Sequence, residues 1–387
     1  METSEIKLDR FTLSLQSFED LRKRNYIYVD KTDYVYRLVN QGKSYFLARP
    51  RRFGKSLMCN TLRAYFEGKK ELFEGLKIAQ WEKDWVKYPI LYLDFSNDCY
   101  SKGDSLRSLL FKALENLGKT YGIDVSNSGL SLSMFCGRIV SEIKNKTGLQ
   151  TVLIIDDYDN PMINSVNPDE DAKIYREFFT VLKSHNECFR FVFMTGVTRC
   201  SKVLYYDGNP HWVDISSDTQ FSAVCGITHQ ELTCYFKDDI RSIAEKENVS
   251  FETIVSKLDE WYGGYLFHES GTKVFNTARL FSALNYKCIR NYWQSTDSAE
   301  YLATIFKKSN FDIKEDLVYT KDFPFTDDNL LSLLFFYGYI TIKSYDDEYR
   351  LYTMGITNIE AKKEIYKIGV SFSSEEKNIV DWKVAED

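Results

Sequence analysis

The stretch that decides the fold is residues 44–66, which read SYFLARPRRFGKSLMCNTLRAYF. Its apolar start predicts a β-strand, and the apolar spacing from Leu57 onward predicts a helix. Between them stands Gly54-Lys55-Ser56. At such a junction the helix N-terminus offers unpaired N–H groups and a positive dipole end to an anion. The lysine then reaches terminal phosphates and the hydroxyl holds Mg²⁺, so the stretch predicts a phosphate-binding loop.

The loop departs from the usual pattern, because Arg49 stands where a glycine is expected and Pro50 has no N–H to donate. Two further arginines, Arg51 and Arg52, offer guanidinium groups that bind phosphate in a bidentate manner. The alternative is that they pair with nearby carboxylates or face solvent. The predicted nucleotide-binding residues are Arg51, Arg52, Phe53, Gly54, Lys55, Ser56 and Leu57.

A second site follows about a hundred residues later. Residues 151–155 are an unbroken apolar and β-branched run, which predicts a strand buried on both faces. The run ends in Asp156-Asp157-Tyr158-Asp159. In nucleotide hydrolases an acid at this point holds the metal, and the carboxylate after it orients the attacking water. An acidic turn after a core strand is the alternative. Asp157 is one methylene shorter than the more usual glutamate, so slow hydrolysis is expected.

Length and composition set the limits. A chain of 387 residues predicts two or three domains, and 44% hydrophobic with 27% charged residues is typical of a soluble globular protein. The net charge of −6 excludes a general electrostatic grip on nucleic acid but leaves room for a local basic patch. The eight cysteines lack Cys-x-x-Cys spacing, which favours reduced thiols in a cytoplasmic protein. No signal peptide or membrane-spanning run is expected.

Apolar strands alternate with helical patterns up to about residue 200, which predicts an α/β fold with a mostly parallel sheet covered on both faces. Ligands bind at the carboxyl ends of such strands, where Gly54, Asp156 and Thr195 all fall. Beyond residue 226 the patterns are mainly helical, including one at 298–308. A helix at 330–337 followed by a hairpin predicts a winged-helix-like unit. The expected domains are residues 1–225, 226–358 and 359–387.

Seven motifs occur in an order that resembles the bacterial AAA-ATPase-like family. They are Tyr28-Val29-Asp30-Lys31-Thr32, residues 49–56, Leu93-Asp94-Phe95-Ser96, residues 154–159, Thr195-Gly196-Val197-Thr198-Arg199, Gly226-Ile227-Thr228 and residues 261–267. The resemblance implies a P-loop NTPase core that binds ATP, followed by a helical and winged-helix region.

The resemblance also implies roles. Lys55 would bind the β- and γ-phosphates, Ser56 and Asp156 the Mg²⁺ ion, and Asp157 the attacking water. Thr195 and Arg199 would sense the γ-phosphate. By family analogy, residues 30–32 would shape the nucleotide pocket.

Longer family members carry a PD-(D/E)XK nuclease-like domain at the C-terminus. Residues 363–373 and 378–384 look like the last strands of that domain, while its body is missing. Such a nuclease needs an acid and then a Glu-x-Lys on the adjoining strand. The triplets Glu142-Ile143-Lys144, Asp312-Ile313-Lys314 and Glu360-Ala361-Lys362 are better read as solvated charge pairs. The hypothesis is a shortened member without nuclease activity.

Two functions compete at this stage. The first is a Mg²⁺-dependent ATPase that acts as a nucleotide-controlled switch and gates a partner. The second is an ATP-binding module that does not hydrolyse and assembles with nucleic acid or protein. A small-molecule kinase lacks an evident acceptor pocket, and a GTPase lacks an Asn-Lys-x-Asp motif.

Overall fold

The computed structural model describes residues 17–96, 105–126, 129–163, 165, 167–206, 211–293, 317–320 and 330–373. The side chains of residues 317–319 and 369–373 are outside this description. In the first half of the chain the elements are α1 (Phe18–Lys23), α2 (Thr32–Gln41), β1 (Ser44–Ala48), α3 (Lys55–Phe66), β2 (Ile90–Asp94), α4 (Leu106–Thr120), α5 (Leu132–Thr147), β3 (Thr151–Asp156), α6 (Asn160–Ile163), α7 (Pro168–Ser184) and β4 (Phe189–Gly196). Short 3₁₀ turns cover Lys70–Phe73, Lys77–Gln80, Asn186–Cys188 and Thr219–Phe221.

The remaining elements are α8 (Ser201–Leu204), β5 (Val213–Asp214), β6 (Ile227–Thr228), α9 (His229–Tyr235), α10 (Lys237–Glu247), α11 (Phe251–Tyr262), β7 (Val274–Phe275), α12 (Thr277–Tyr286), β8 (Leu317–Thr320), α13 (Leu330–Phe336), β9 (Ile340–Asp346), β10 (Leu351–Ile356) and α14 (Ile359–Ser373).

The central sheet has five parallel strands in the order β2-β3-β4-β1-β5. The chain first crosses from β1 to β2, and then returns through β3 to β4. Because parallel crossovers are right-handed, this reversal puts α3 on one face and α4, α5 and α7 on the other. The contacts agree, since α3 packs on β2, β3 and β4, while α4, α5 and α7 pack on one another. The predicted α/β class with a parallel sheet covered on both faces is confirmed.

Burial explains why the inner strands are so apolar. All six residues of β3 are buried, as are seven of the eight residues of β4. A strand covered by helices on both faces reads as a continuous apolar run rather than an alternation. The register pairs Leu47 with Thr195 and Asp94 with Asp156. The carboxyl ends of β1, β3 and β4 therefore meet at one edge of the sheet.

Side-chain caps start most of the longer helices. Ser105, Ser131 and Ser250 each accept a hydrogen bond from the backbone N–H three residues on. Thr228 and Glu231 form a reciprocal capping box at α9, as the sequence predicts for a helix there. Such caps satisfy N–H groups that the first turn leaves unpaired. Helices α2, α3 and α10 have no side-chain cap, and in α3 the N-cap is Gly54, which has no side chain.

The C-terminal region begins with a helical unit that has its own core. Helices α9 to α12 and β6 share one hydrophobic cluster, which Val29 from the N-terminal segment joins. A helix followed by a hairpin is present as α13, β9 and β10, and β8 adds a third antiparallel strand. The winged-helix interpretation of this unit and the domain limits at 225 and 358 stay predictions. The helix predicted at 298–308 lies outside the described residues.

The interpretation of residues 363–373 as strands is wrong. They belong to α14, which packs against α11. Ala361, Ile365 and Ile368 are its buried apolar residues, and their spacing of four and three positions is that of a helix. The second predicted remnant strand, residues 378–384, lies outside the described residues. In the part of the chain that the structure describes, no helix has the length and apolar character needed to span a bilayer.

Candidate functional site

A cavity of about 700 Å³ opens at the carboxyl edge of the sheet. The loop between β1 and α3 forms its floor, and residues Asp157 and Asp159 after β3 form one wall. Residues of the N-terminal segment and of the helical unit close the other side. Cavities of 300–1,000 Å³ are the size that holds a cofactor or a small substrate.

Lys55 is the central cation of the cavity. Its side chain comes from the first turn of α3 and is 5% exposed. The ammonium Nζ lies 3.5 Å from Asp157 Oδ1 and 3.4 Å from the carbonyl oxygen of Pro50. Charge-assisted hydrogen bonds are normally 2.7–2.9 Å long. The buried ammonium is therefore held loosely and has room for a closer anionic partner.

Asp156 is the buried acid of the site. It is 1% exposed, and the Thr195 hydroxyl donates to its Oδ1 at 2.7 Å. Burial, together with the neighbouring charge of Asp157, raises the pKa of Asp156 to about 6, although hydrogen bonds from Ser56 and Thr195 oppose the rise. The structure thus brings Lys55, Ser56, Asp156, Asp157 and Thr195 together, as the sequence predicts.

The backbone is unusual at both functional loops. Gly54 has φ 98°, and a Cβ added there would meet no atom within 4 Å. Arg52 and Asp157 also have positive φ, at 67° and 51°. Non-glycine residues in this left-handed region carry strain that tends to concentrate at functional sites. The space above Gly54 is open on the side where the first N–H groups of α3 lack side-chain caps.

Arg49, which replaces the usual glycine, does not face the cavity. It is fully buried, and its Nη atoms donate to the carbonyl oxygens of Ala48, Ser216 and Phe221 at 2.7–3.0 Å. Its guanidinium carbon lies 4.1 Å from the centre of the Phe267 ring. Burial lowers the pKa of Arg49 to about 10. This arginine fastens the end of β1 to the chain after β5.

The carbonyls of the loop are held from the C-terminal side. Phe53 O accepts from the Gly226 N–H at 2.9 Å and from the Thr277 hydroxyl at 3.3 Å. Arg52 O accepts from the Ala278 N–H, and Arg51 O from the side-chain amide of Asn276. The first turn of α12 thus clamps the phosphate loop from outside.

The remaining predicted binding residues also line the cavity: Arg51, Arg52, Phe53, Ser56 and Leu57. Phe53 additionally packs edge-on against Tyr265, with ring centres 4.8 Å apart. Among the residues that the structure describes, the Arg51 guanidinium makes no ion pair. Its charge remains available on the cavity side.

Arg199 is not brought to the cavity. Its Nε lies 2.8 Å from Asp214 Oδ2 on β5, and an Nη donates to the Ser217 hydroxyl. The cause lies just before it, where Asp159 Oδ2 accepts from the N–H groups of Val197 and Thr198 and turns the chain. The sequence pattern places Arg199 at the end of β4 but does not reveal this turn.

The N-terminal segment contributes a wall that sequence reasoning only partly expected. Ile27, Val29 and Lys31 line the cavity together with Ile227 and Phe281 of the helical unit. Lys31 donates to Ala223 O and pairs with Glu231. The apolar run before Asp30 could have indicated this wall. The family analogy considered only residues 30–32 and did not include that run.

Asp30 and Thr32 have a structural role. The Asp30 carboxylate accepts from the Thr32 N–H and from the Lys77 N–H. The Thr32 hydroxyl in turn accepts from the Ile78 N–H. These two residues fix the start of α2 instead of lining the cavity.

The donor set fits Mg²⁺ that arrives with phosphates. Across the described ranges, no three His, Cys, Asp or Glu side chains gather as a metal site. What the cavity does offer is the Ser56 hydroxyl beside the Asp156 carboxylate. Mg²⁺ is typically bound by one or two protein ligands, substrate phosphates and water rather than by a full protein cage.

Comparison with known proteins gives one family and several relatives. Residues 12–204, about half of the chain, match the AAA-ATPase-like family, described as predicted AAA-ATPase. An uncharacterized protein in the vnfD 5′ region of Azotobacter chroococcum mcd 1 is 28% identical over 346 residues, which are 86% of this chain and 64% of that protein. This chain therefore spans less than two thirds of that relative's length.

Three solved structures align over most of the chain. They are the Aeropyrum pernix ORC2 protein in ADPNP–ADP complexes (TM-score 0.39, 11% identity, 90% of this chain and 93% of that chain), CDC6P from Pyrobaculum aerophilum (0.31, 15%, 92% and 95%) and the Aeropyrum pernix ORC1 protein in complex with DNA (0.30, 10%, 93% and 96%).

Proposed function

Because this chain belongs to the predicted AAA-ATPase family, we propose that its cavity binds ATP with Mg²⁺ and hydrolyses the γ-phosphate bond. One observation supports this above all. The buried ammonium of Lys55, the hydroxyl of Ser56 and the carboxylate of Asp157 come from chain segments a hundred residues apart and border one cavity. The carboxylate of Asp156 is hydrogen-bonded to Ser56 directly behind this lining. Phosphoryl transfer depends almost entirely on such positioning and charge.

Each side chain has a role that its surroundings suit. Lys55 exchanges its long contacts with Asp157 and Pro50 for the β- and γ-phosphates. Ser56 and Asp156 hold the Mg²⁺ ion, which neutralises developing phosphate charge when bound. Thr195 orients Asp156 through its hydroxyl. Asp157, once released by Lys55, is the carboxylate that can orient water.

The base has an apolar place to sit. Ile27, Val29, Ile227 and Phe281 line the cavity, and all four belong to or pack against one hydrophobic cluster. A purine on this apolar surface would bury a flat face against aliphatic and aromatic carbon. The N-terminal segment and the helical unit therefore both contact the same nucleotide.

The clamp on the loop suggests how nucleotide state would reach the C-terminal region. Three consecutive loop carbonyls, of residues 51–53, accept hydrogen bonds from Asn276, Ala278, Gly226 and Thr277. A loop that moves on binding phosphate must carry α12 with it or break these bonds. The proposed output is a switch that gates a protein or nucleic-acid partner.

The second candidate is a module that binds ATP without hydrolysing it. The observation that favours it is the geometry of Asp157, which pairs with Lys55 and has the shorter aspartate side chain. A carboxylate that stays on the lysine does not reach a water. Under this alternative the same partner contacts form, but the nucleotide remains intact.

Binding is tested by titrating Mg²⁺-ATP into the wild-type protein and into Lys55→Ala in a calorimeter. Loss of a charge-assisted contact should weaken binding by about 1.5–3 kcal/mol, or roughly one to two decades in Kd. Lys202→Ala is the matched control, because Lys202 also pairs with an aspartate but lies on the surface. Equal affinity in wild type and Lys55→Ala would refute the site.

Hydrolysis is tested by phosphate release from Mg²⁺-ATP. We expect slow release by the wild type and none by Asp157→Asn, with ATP affinity preserved in that variant. Release that survives in Asp157→Asn would remove Asp157 from the reaction. Tight binding with no release by the wild type would select the second candidate.

A further inference from the structure

A pair of stacked tyrosines, the exposed Tyr286 and the half-buried Tyr292, lies at and beyond the end of α12, and neither lines the nucleotide cavity. The rings of Tyr286 and Tyr292 have centres 5.9 Å apart and an interplanar angle of 16°. The Arg290 guanidinium carbon lies 5.8 Å from the first ring centre and 5.2 Å from the second. Tyr286 is 60% exposed. An aromatic stack therefore ends in a ring that is open to solvent.

Hydrogen bonds fix the segment that carries Arg290 and Tyr292. The Tyr262 hydroxyl donates to Arg290 O and accepts from the Arg290 N–H. The Tyr292 hydroxyl donates to Cys288 O, and the Tyr292 N–H donates to the buried carboxylate of Glu360. A ring that is already fixed loses little rotamer entropy when a second flat group stacks on it. The pair is thus preorganised for a planar partner.

Three basic residues lie near the stack although the whole chain is acidic, while the buried carboxylates of Glu360 and Glu364 accept hydrogen bonds from Tyr292 and Asn291 of the same segment. Arg290, Lys287 and Lys246 are all exposed. The Lys287 ammonium donates to the Ser242 hydroxyl, and the Lys246 ammonium donates to Lys287 O. Both ammonium groups thus contact neutral oxygens and keep their full charge. The nearby Glu247 is paired with Lys257.

We propose that this surface, made of Tyr286, Tyr292, Arg290, Lys287 and Lys246, binds single-stranded nucleic acid. Aromatic rings that stack bases beside cations that contact phosphates are the combination that single strands require. In a duplex the faces of the bases are covered by neighbouring base pairs, so a duplex offers this surface only its phosphates. An acidic peptide or a lipid headgroup offers charge without a planar ring for Tyr286.

The test measures the fluorescence anisotropy of a labelled 15-nucleotide oligothymidylate with the full chain. We expect binding that weakens with salt, because phosphate contacts release counterions. Tyr286→Ala should lower the affinity roughly ten- to a hundredfold, since stacking of one base is lost. Tyr286→Trp should retain it. Tyr349→Ala is the matched control, because Tyr349 is 64% exposed and lies in the turn between β9 and β10.

The contribution of the basic residues is measured separately, through the salt dependence of binding. Lys287→Ala should lower the slope of log affinity against log salt by about 0.7, the value for one phosphate contact on a single strand. The control variant Lys202→Ala should leave the slope unchanged. This readout does not change when a substitution only loosens the helix.

Four outcomes would overturn the proposal: no binding of the oligonucleotide by the wild type, equal or tighter binding of a duplex of the same length, the same loss in Tyr349→Ala as in Tyr286→Ala, and binding of anionic phospholipid vesicles that Tyr286→Ala abolishes. None of these measurements requires ATP. The result is therefore independent of the function proposed for the cavity.

Discussion

Lys55 and Arg49 belong to the same loop and are both buried, but their surroundings are opposite. The guanidinium of Arg49 donates to three carbonyl oxygens within 3.0 Å and lies on an aromatic ring. The ammonium of Lys55 has its nearest oxygens at 3.4 and 3.5 Å. Buried polar groups are normally fully hydrogen-bonded, so the loosely held one is the candidate for a ligand. One side of this loop, at Arg49, therefore stabilises the fold, and the other side, at Lys55, faces the cavity and is available for binding.

The stability side of the loop continues into the C-terminal region. Phe53 packs on Tyr265, and the Tyr265 hydroxyl accepts from Arg279 Nη1 at 2.7 Å. Arg279 Nε lies 3.6 Å from Glu360, which is fully buried, so the sequence-based interpretation of Glu360 as part of a solvated charge pair is wrong. A chain of direct contacts therefore links the phosphate loop to α14. On the cavity side, Lys55 has only its long contacts with Asp157 and the Pro50 carbonyl among the described residues.

The largest effect is expected at Arg49. Arg49→Ala leaves the carbonyls of Ala48, Ser216 and Phe221 without their charged donor in a buried place. Each unmet acceptor costs about 1–3 kcal/mol, and partial access of water should limit the total loss of unfolding free energy to about 3–5 kcal/mol. Urea denaturation followed by circular dichroism measures it.

Lys55→Ala is the natural counterpart in the same loop. Its unfolding free energy should stay within about 1 kcal/mol of wild type, because no short hydrogen bond is lost. If Lys55→Ala lost as much unfolding free energy as Arg49→Ala, the proposed difference between the stabilising Arg49 and the binding residue Lys55 would be contradicted.

The next effect concerns Glu360 and pH. Burial raises the pKa of Glu360 to about 7, against the opposing charge of Arg279. In the unfolded chain the pKa is about 4.3, so between these values the folded state binds more protons. Stability must then fall as pH rises from about 4.5 to 7 and level off above 7. At about 1.4 kcal/mol per pKa unit, the fall is up to about 3.5–4 kcal/mol.

Glu360→Gln has no proton to bind and should lose this part of the pH dependence. Urea midpoints at pH 5, 6, 7 and 8 measure the difference. The exposed Glu170→Gln on α7 is the control and should follow the wild-type curve. Parallel curves for wild type and Glu360→Gln would show that Glu360 keeps an ordinary pKa.

The strands, the order of the helices and the convergence of Lys55, Ser56, Asp156 and Thr195 could be predicted because they follow local rules. Apolar runs set the strands, and parallel strands bring their carboxyl ends to one edge. Arg49 could not be assigned in this way. Its partners, at positions 216 and 221, are far along the chain, and nothing in its own neighbourhood indicates that it turns away from the phosphates.

At two places the structure differs from the simplest expectation, for different reasons. Arg199 follows the end of β4, and its guanidinium pairs with Asp214, a tertiary contact that the local pattern does not show. Residues 363–373 resemble strands of a longer relative, yet their own apolar spacing fits the helix that packs on α11. In the second case the local pattern was correct and the resemblance was misleading. The wall formed by Ile27 and Val29 was missed because a short apolar run does not tell what it faces.

An effect smaller than those at Arg49 and Glu360 is expected at Gly54, and it isolates backbone strain from steric clash. At φ 98° an alanine is strained, but its Cβ would meet no atom within 4 Å. Gly75, with φ 77° and equally open surroundings, lies in a turn after the first 3₁₀ segment and provides a matched control. Both alanine variants should lose about 1–2 kcal/mol of unfolding free energy, the usual cost of a left-handed alanine. Only Gly54→Ala should also weaken ATP binding, because its methyl group enters the space above the loop. Similar ATP affinity in the two variants would mean that the phosphates do not bind above Gly54. The loop would then have no separate binding side, in contrast to the stabilising side at Arg49.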